Sequence, residues 1–197
     1  MRLTGLAFIL AAWTAVAAPQ FEWLRVGEVK PRGWLLERLQ NDVRHGFASS
    51  LDRLTDRCDM DTFDTRKKAE LKQPKIGGVW WDGETTGKWL DGFVRMAYLA
   101  DDAPAKARAD ALIAQVLATQ DDDGYLGCYP RAVRYQSPIG QPNNGELWDQ
   151  ACLFPALLAY YELTGREDVR KAVERAALLT LSKYGPEREH SAGRTGA

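Results

Sequence analysis

Two short stretches of the 197-residue sequence combine carboxylates with flat aromatic rings, a mixture that suits the binding of a sugar. The first, Val79 to Leu90, contains three tryptophans with Asp82 and Glu84, and the second, Asp121 to Tyr129, contains three aspartates and two tyrosines. Aromatic rings stack on the C–H faces of a sugar, while carboxylates accept hydrogen bonds from its hydroxyl groups. Residue types alone favour a structural alternative, in which the rings belong to the core and the acids cap helices.

Apolar residues at helical spacing predict the elements that position these stretches. We predict a helix from Pro31 to His45, an αα-hairpin from Glu84 to Gln120 and a second hairpin from Glu146 to Lys183. The connecting segments are rich in glycine, proline and polar residues, as loops are. Pro155 falls inside the second hairpin, where an interior proline costs ~3 kcal/mol, so we expect the helix to bend or to begin late there.

The two hairpins are related by a repeat. Gly83-Glu84 and Gly145-Glu146 are separated by 62 residues and are each expected to open a hairpin, and the same shift carries Ala97-Tyr98 onto Ala159-Tyr160. A helical hairpin cannot bury its apolar face without stacked neighbours, so this pattern predicts an all-α array of hairpins. A closed ring would need several more such units, and the array is therefore expected to be incomplete.

The N-terminal residues have the features of a secretory signal. Met1-Arg2 is followed by an apolar run to Ala18 with small residues near its end, which predicts a signal peptide over residues 1–18 and a secreted or periplasmic protein. An uncleaved N-terminal anchor is the alternative, although the run is short for a membrane span. The remaining sequence divides into one domain over residues 19–186 and an irregular polar tail over residues 187–197, which we expect to mark a truncation point.

Composition excludes several classes of protein. The 26 basic and 27 acidic residues are interspersed and leave a net charge of −1, so neither nucleic acid nor an anionic membrane is an expected partner. Three cysteines, at positions 58, 128 and 152, have no C-x-x-C spacing, and we expect free, partly buried thiols. Gly83 to Lys88 has the wrong spacing for a phosphate loop, and an acidic calcium-type loop at Asp121 would need a glutamate where Pro130 stands.

Several motifs in a fixed order resemble one family of proteins. The matching segments are Gly27-Glu28-Val29-x-Pro31-x-Gly33-Trp34-Leu35, Trp81-Asp82-Gly83-Glu84-x-x-Gly87-Lys88-Trp89-Leu90, Gln120-x-x-Asp123-Gly124-Tyr125-Leu126-Gly127 and Glu146-Leu147-Trp148-Asp149. They resemble the N-terminal part of the catalytic domain of glycoside hydrolase family 127, the β-L-arabinofuranosidase-like enzymes. The resemblance covers about residues 26–183. It implies an (α/α)6 toroid, of which this chain would form a part.

The resemblance also implies an activity and a metal. Members remove L-arabinofuranose or related sugars from plant glycans with retention, using a cysteine nucleophile on a zinc site and a glutamate as acid/base. The residues with these roles are expected downstream of Ala197, so no catalytic role, no metal ligand and no cofactor is assigned to this chain, and Cys58, Cys128 and Cys152 receive no role. A departure occurs at Gly145, where many members have a histidine.

The resemblance and the repeat together give a hypothesis for function. We expect equivalent loops to open on one face and to form one side of a sugar pocket with Trp81, Asp82, Glu84, Asp123, Tyr125, Glu146 and Trp148. Alone, the chain is expected to hold a sugar without cleaving it, because a thiolate nucleophile needs a metal or positive charge. Two alternatives remain: a non-catalytic helical module that binds glycan or protein, and a truncated, non-functional fragment.

Overall fold

The computed structural model describes residue 21 and residues 23–54, 58–66, 79–135 and 145–184. These ranges contain five helices longer than one turn and no strand: α1 (Trp34–His45), α2 (Val79–Leu99), α3 (Ala103–Ala118), α4 (Glu146–Thr164) and α5 (Glu167–Tyr184). The predicted all-α class is confirmed. The signal segment, residues 1–18, and the tail, residues 187–197, lie outside the described residues.

Helix α1 begins three residues later than the sequence predicts and ends where predicted, at His45. Gly33 precedes it with a φ of 56°, in the left-handed region that favours glycine, so the chain turns sharply into the helix. At the C-terminal end of α1, the Arg44 guanidinium lies 2.7 Å from the carboxylate of Asp102, which links α1 to the turn between α2 and α3.

The first hairpin consists of α2 and α3. The Asp102 side chain caps α3 by accepting a 3.1 Å hydrogen bond from the backbone N–H of Ala105, and Pro104 stands in the first turn, where a missing N–H costs little. Helix α3 ends at Ala118, two residues before the predicted Gln120. The helix–turn–helix layout of this unit is as predicted.

The predicted start of α2 is wrong. The helix begins at Val79, so Gly83 is its fifth residue and Glu84 does not open it, whereas Gly145 is the N-cap of α4. Gly87 also lies within α2, and both glycines face α4 at very short range. A Cβ on Gly87 would stand 2.8 Å from the backbone carbonyl carbon of Cys152, so only glycine allows the two helices to approach this closely.

The second hairpin consists of α4 and α5. Gly165 ends α4 with a φ of 72° and donates a 2.7 Å hydrogen bond to the carbonyl of Tyr161, a left-handed C-cap. Pro155 lies inside α4, which nevertheless begins at Glu146, so the expected late start is wrong. The exposed position of Pro155 keeps its ring out of the core.

The two hairpins pack side by side through α2 and α4, with α3 against α2 and α5 against α4. Residues that the repeat made equivalent meet in this core: the rings of Tyr98 and Tyr160 are in edge-to-face contact at 5.9 Å, and both hydroxyls donate to Asp110. This arrangement is compatible with part of an α/α toroid. None of the helices in the described ranges has the length and apolar character needed to cross a membrane.

Candidate functional site

One face of α2 borders a cavity of about 520 Å³ between this helix and the segment that follows α1. Trp81, Glu84 and Lys88 are spaced by three and four residues, so they lie on the same side of the helix, and all three line the cavity. Asp42 of α1 adds a second carboxylate to the lining. The volume is within the range of small-molecule sites, ~300–1,000 Å³.

The wall of the cavity is fixed by Trp89. Its indole N–H donates a 3.1 Å hydrogen bond to the carbonyl of Ala48, and its ring stacks on Phe93 with centroids 5.2 Å apart. The Arg108 guanidinium lies 5.0 Å from the Phe93 ring and donates a 2.9 Å hydrogen bond to the carbonyl of Ser49. These contacts hold the turn at residues 47–49 against α2 and so keep the cavity open on one side.

Three of the lining side chains and one neighbour form what we call the cavity rim: Trp81, Glu84 and Lys88, with Trp148 of α4, whose ring lies beside the Lys88 ammonium. Trp81 is 49% exposed and Trp148 is 48% exposed, although large aromatic side chains are usually buried. Glu84 forms an ion pair with Lys88, whose ammonium stands 5.0 Å from the centroid of the Trp148 ring. The rim therefore presents two accessible rings, one from each of two packed helices, with a charged pair beside them.

A second polar cluster lies at the N-terminal end of α4, and we call it the loop–helix network: Asp121, Asp123, Tyr125, Cys128, Arg134, Glu146 and Asp149. Its centre is Arg134, whose side chain is 2% exposed. The guanidinium donates to the carbonyl of Tyr129 at 2.8 Å and to the hydroxyl of Thr65 at 2.9 Å, and it pairs with the carboxylates of Asp121 and Asp123. It also lies 3.7 Å from the centre of the Tyr125 ring.

The carboxylates of α4 complete the loop–helix network. Glu146 accepts a 2.8 Å hydrogen bond from the backbone N–H of Tyr135 and a 3.3 Å one from the hydroxyl of Tyr184. Burial raises the pKa of Glu146, because the charged carboxylate is poorly solvated there. Asp149 accepts from the backbone N–H of Cys128 at 2.6 Å and from its thiol at 3.3 Å.

The structure places six of the seven residues of the predicted sugar pocket in these two places, and Asp82 lies in neither. Trp81, Glu84 and Trp148 belong to the cavity rim, and Asp82 lies half-buried in the first turn of α2. Tyr125 and Glu146 are only 1% and 2% exposed. In the described residues, Tyr125 and Glu146 are thus buried, while Trp81 and Glu84 line the cavity, and the convergence of all these residues on one sugar pocket stays a prediction.

The capping alternative is also resolved residue by residue. Glu84 lies in the second turn of α2 and binds Lys88, so it does not cap the helix, whereas Asp82 stands in the first turn, where a carboxylate favours the helix dipole. Asp123 is a turn residue, since its carboxylate accepts a 3.0 Å hydrogen bond from the backbone N–H of Tyr125. Glu146 stands in the first turn of α4 but also binds groups outside its own helix.

Sequence reasoning missed Lys88, Asp42 and Arg134 as contributors to these sites. Lys88 stands four residues after Glu84, a spacing that signals an ion pair on a helix. Arg134 gave no local signal, because it is a single arginine in a polar segment and its partners are distant in sequence. The three aspartates from position 121 could have indicated that a buried cation neutralises them.

The zinc that the resemblance implies does not fit the residues described. Cys58, Cys128 and Cys152 are all buried, whereas the sequence predicted partly buried thiols. In the ranges that the structure describes, no group of three or more histidine, cysteine, aspartate or glutamate side chains is arranged to hold a metal ion. We therefore derive no step of a reaction through zinc from these residues.

Comparison with known proteins gives one match. A family model described as "Beta-L-arabinofuranosidase, GH127 catalytic domain" matches residues 28–196 of the chain. Curated proteins and solved structures give no match.

Proposed function

The chain belongs to glycoside hydrolase family 127, and from this premise we propose that its cavity rim is a sugar-binding surface of a secreted glycosidase acting on L-arabinofuranose-type plant glycans. Membership of the family makes a carbohydrate the expected substrate class. The signal-like segment before Pro19 supports export, because it combines a basic start, an apolar run and small residues near its end.

One observation carries the proposal: two half-exposed tryptophans, Trp81 and Trp148, flank an ion pair beside a cavity of about 520 Å³. Exposed tryptophans lose hydrophobic stabilisation, so their exposure at a concave site favours a role in binding. Sugars offer both apolar C–H faces and hydroxyl groups. The rim offers rings for the first and charged groups for the second.

Each rim residue has a defined part in this proposal. The indole rings of Trp81 and Trp148 stack on the C–H faces of sugar units. The Glu84 carboxylate accepts hydrogen bonds from hydroxyl groups, and the Lys88 ammonium donates to ring or hydroxyl oxygens. Asp42 extends the row of acceptors on the opposite side of the cavity.

The loop–helix network has a supporting part. Tyr125 and Glu146 are buried, and Asp123 binds arginines and the backbone of its own turn, which suits residues that hold the loop of residues 121–135 on α4. Direct contact of these three residues with sugar stays a prediction. Because the described residues contain no activated thiol, we expect this chain to bind a sugar without hydrolysing it.

Tryptophan fluorescence of the full chain, titrated with neutral L-arabinofuranose oligosaccharides, tests the proposal. We expect saturable quenching, and we expect Trp81→Ala and Trp148→Ala each to weaken the affinity about three- to tenfold, the effect of removing one stacked ring. Trp23→Ala is the matched control, because Trp23 is fully exposed and does not line the cavity, and it should leave the affinity unchanged.

The same samples distinguish binding from catalysis. A parallel assay for released arabinose should give no sugar above the buffer control. Release would show that the chain carries a complete reaction centre. Absence of saturable quenching, or equal loss of affinity in the Trp23 and Trp81 variants, would refute the rim as a sugar-binding surface.

A further inference from the structure

The described lining of the cavity contains more negative than positive side chains. Its described lining contains two carboxylates, Asp42 and Glu84, and one ammonium, Lys88. Lys88 would be the natural partner for an acidic sugar, but its ammonium is already bound by Glu84, one helical turn before it. The lining that the structure describes thus has a net charge of about −1, and its ammonium is paired with a carboxylate. The Arg108 guanidinium lies at the Phe93 ring and donates to the carbonyl of Ser49.

We propose that Glu84 determines specificity at this site by neutralising Lys88, so that the cavity takes neutral glycans and rejects glycans that contain uronic acids. The proposal rests on the sugar-binding role of the cavity rim and names its substrate class. It makes Glu84 more than a hydrogen-bond acceptor, because the residue also sets the sign of the electrostatic potential that a sugar meets.

The geometry of the pair supports this role. The Glu84 side chain is 16% exposed and the Lys88 side chain is 55% exposed, so the carboxylate is held near the helix while the ammonium extends toward Trp148. The hydrogen bond that Lys88 donates to the Glu84 carboxylate raises the pKa of Lys88, so the ammonium is charged and paired at neutral pH. A uronate would have to share the ammonium with the Glu84 carboxylate, which repels it.

The binding of a uronate is unfavourable for two reasons. The incoming carboxylate would compete with Glu84 for the Lys88 ammonium, and it would stand in a cavity that also contains Asp42, so two like charges would oppose it. A neutral furanose meets no such repulsion, because it can accept from Lys88 and donate to Glu84 while the pair stays intact. The ion pair therefore separates two classes of glycan that have similar size and stacking faces.

A selectivity ratio measured on the full chain tests the proposal. The probes are a neutral L-arabinofuranose trisaccharide and a galacturonate trisaccharide, titrated at low salt with tryptophan fluorescence as the readout. We expect the wild type to bind the neutral probe at least about tenfold more tightly than the acidic probe. Glu84→Gln should release Lys88 and bring the ratio of the two affinities close to one, mainly by tighter binding of the galacturonate.

Two further variants isolate the mechanism. Adding Lys88→Met to Glu84→Gln should remove the gain in galacturonate binding, because the freed ammonium is then absent. Asp42→Asn should also improve galacturonate binding, by a smaller factor, and it provides an independent test if Glu84→Gln does not fold. Glu174→Gln, which removes one exposed carboxylate from α5, should leave the ratio unchanged.

The outcomes separate the two proposals. If neither probe binds, the sugar-binding role of the rim fails, and the specificity role of Glu84 fails with it. If the neutral probe binds but the ratio is the same in the wild type, Glu84→Gln and Asp42→Asn, the rim binds sugar and the specificity role of Glu84 is refuted. Raising the salt concentration should reduce the discrimination of the wild type, since exposed charges are screened.

Discussion

The cavity rim and the loop–helix network are built from the same residue types, yet they differ in what surrounds them. In the rim, Glu84 finds its cation four residues away on its own helix, and Trp81 stays 49% exposed. In the network, Arg134 binds partners that are distant in sequence, Thr65 and Asp121, and its side chain is 2% exposed. Local pairing leaves a surface accessible to a ligand, whereas long-range pairing uses its residues to join elements.

The largest expected effect tests the structural side of this comparison. Arg134→Ala should lower the free energy of unfolding by about 3–5 kcal/mol, because it leaves the carboxylates of Asp121 and Asp123 without their buried counter-charge. Urea denaturation followed by circular dichroism measures the change. Arg131→Ala is the matched control: its guanidinium is largely exposed beside Asp122, and we expect no resolvable change. Equal losses in both variants would remove the distinction between network and surface.

A second prediction compares two glycines of α2. Gly87→Ala should destabilise the chain by about 1–3 kcal/mol, because the new methyl group would meet the backbone of Cys152, which no side-chain rotation can relieve. Gly92→Ala should instead stabilise it by up to about 1 kcal/mol, since nothing lies within 4 Å of that position and alanine favours helix. Thermal unfolding of the two variants gives the sign of each change. A loss of stability in both would mean that the approach of α2 to α4 at Gly87 is not specially close.

A third prediction uses pH to examine the buried acid of the network. Folding raises the pKa of Glu146 above its ordinary value of 4.5. The contribution of Glu146 to the free energy of unfolding is therefore fully present below pH 4.5 and is lost as the pH rises through the pKa of the folded state. Glu146→Gln has no carboxyl group to ionise at this position, so its stability does not show this decrease. We therefore expect the stability of the wild type relative to the variant to fall with rising pH above about 4.5.

An exposed acid provides the opposite slope as a control. The hydrogen bond from Arg170 lowers the pKa of Glu167, so its contribution is present above pH 4.5 and is lost as the pH falls. The stability of the wild type relative to Glu167→Gln should therefore rise with pH. Chemical denaturation at several pH values measures both slopes, and slopes of the same sign would contradict the assignment of Glu146 as a desolvated carboxyl.

The smallest expected effect concerns the rim. Lys88→Met should leave the midpoint of urea unfolding unchanged, because an exposed ion pair within one helix contributes little to stability. A clear loss of stability would show that the pair is structural after all and would place the rim in the same class as the network. Urea denaturation of the wild type and the variant, followed by circular dichroism, measures the two midpoints.

The sequence predicted the helices well because their apolar spacing is a local property. It missed the start of α2 because a glycine such as Gly83 is unfavourable inside a helix, and only the contact with α4 explains why glycine is needed there. Likewise, residue types made Trp81, Glu84 and Tyr125 candidates for the same sugar pocket. Tyr125 is buried against Arg134, a partner that no local sequence pattern reveals.

The buried cysteines give a practical way to follow motion in this protein. The sulfur of Cys128 lies against Gly83 of α2, and Cys128 is buried. A thiol reagent can reach this sulfur only when α2 moves away from the loop that carries Cys128. The rate at which Cys128 is modified under native conditions therefore measures how often α2 separates from this loop.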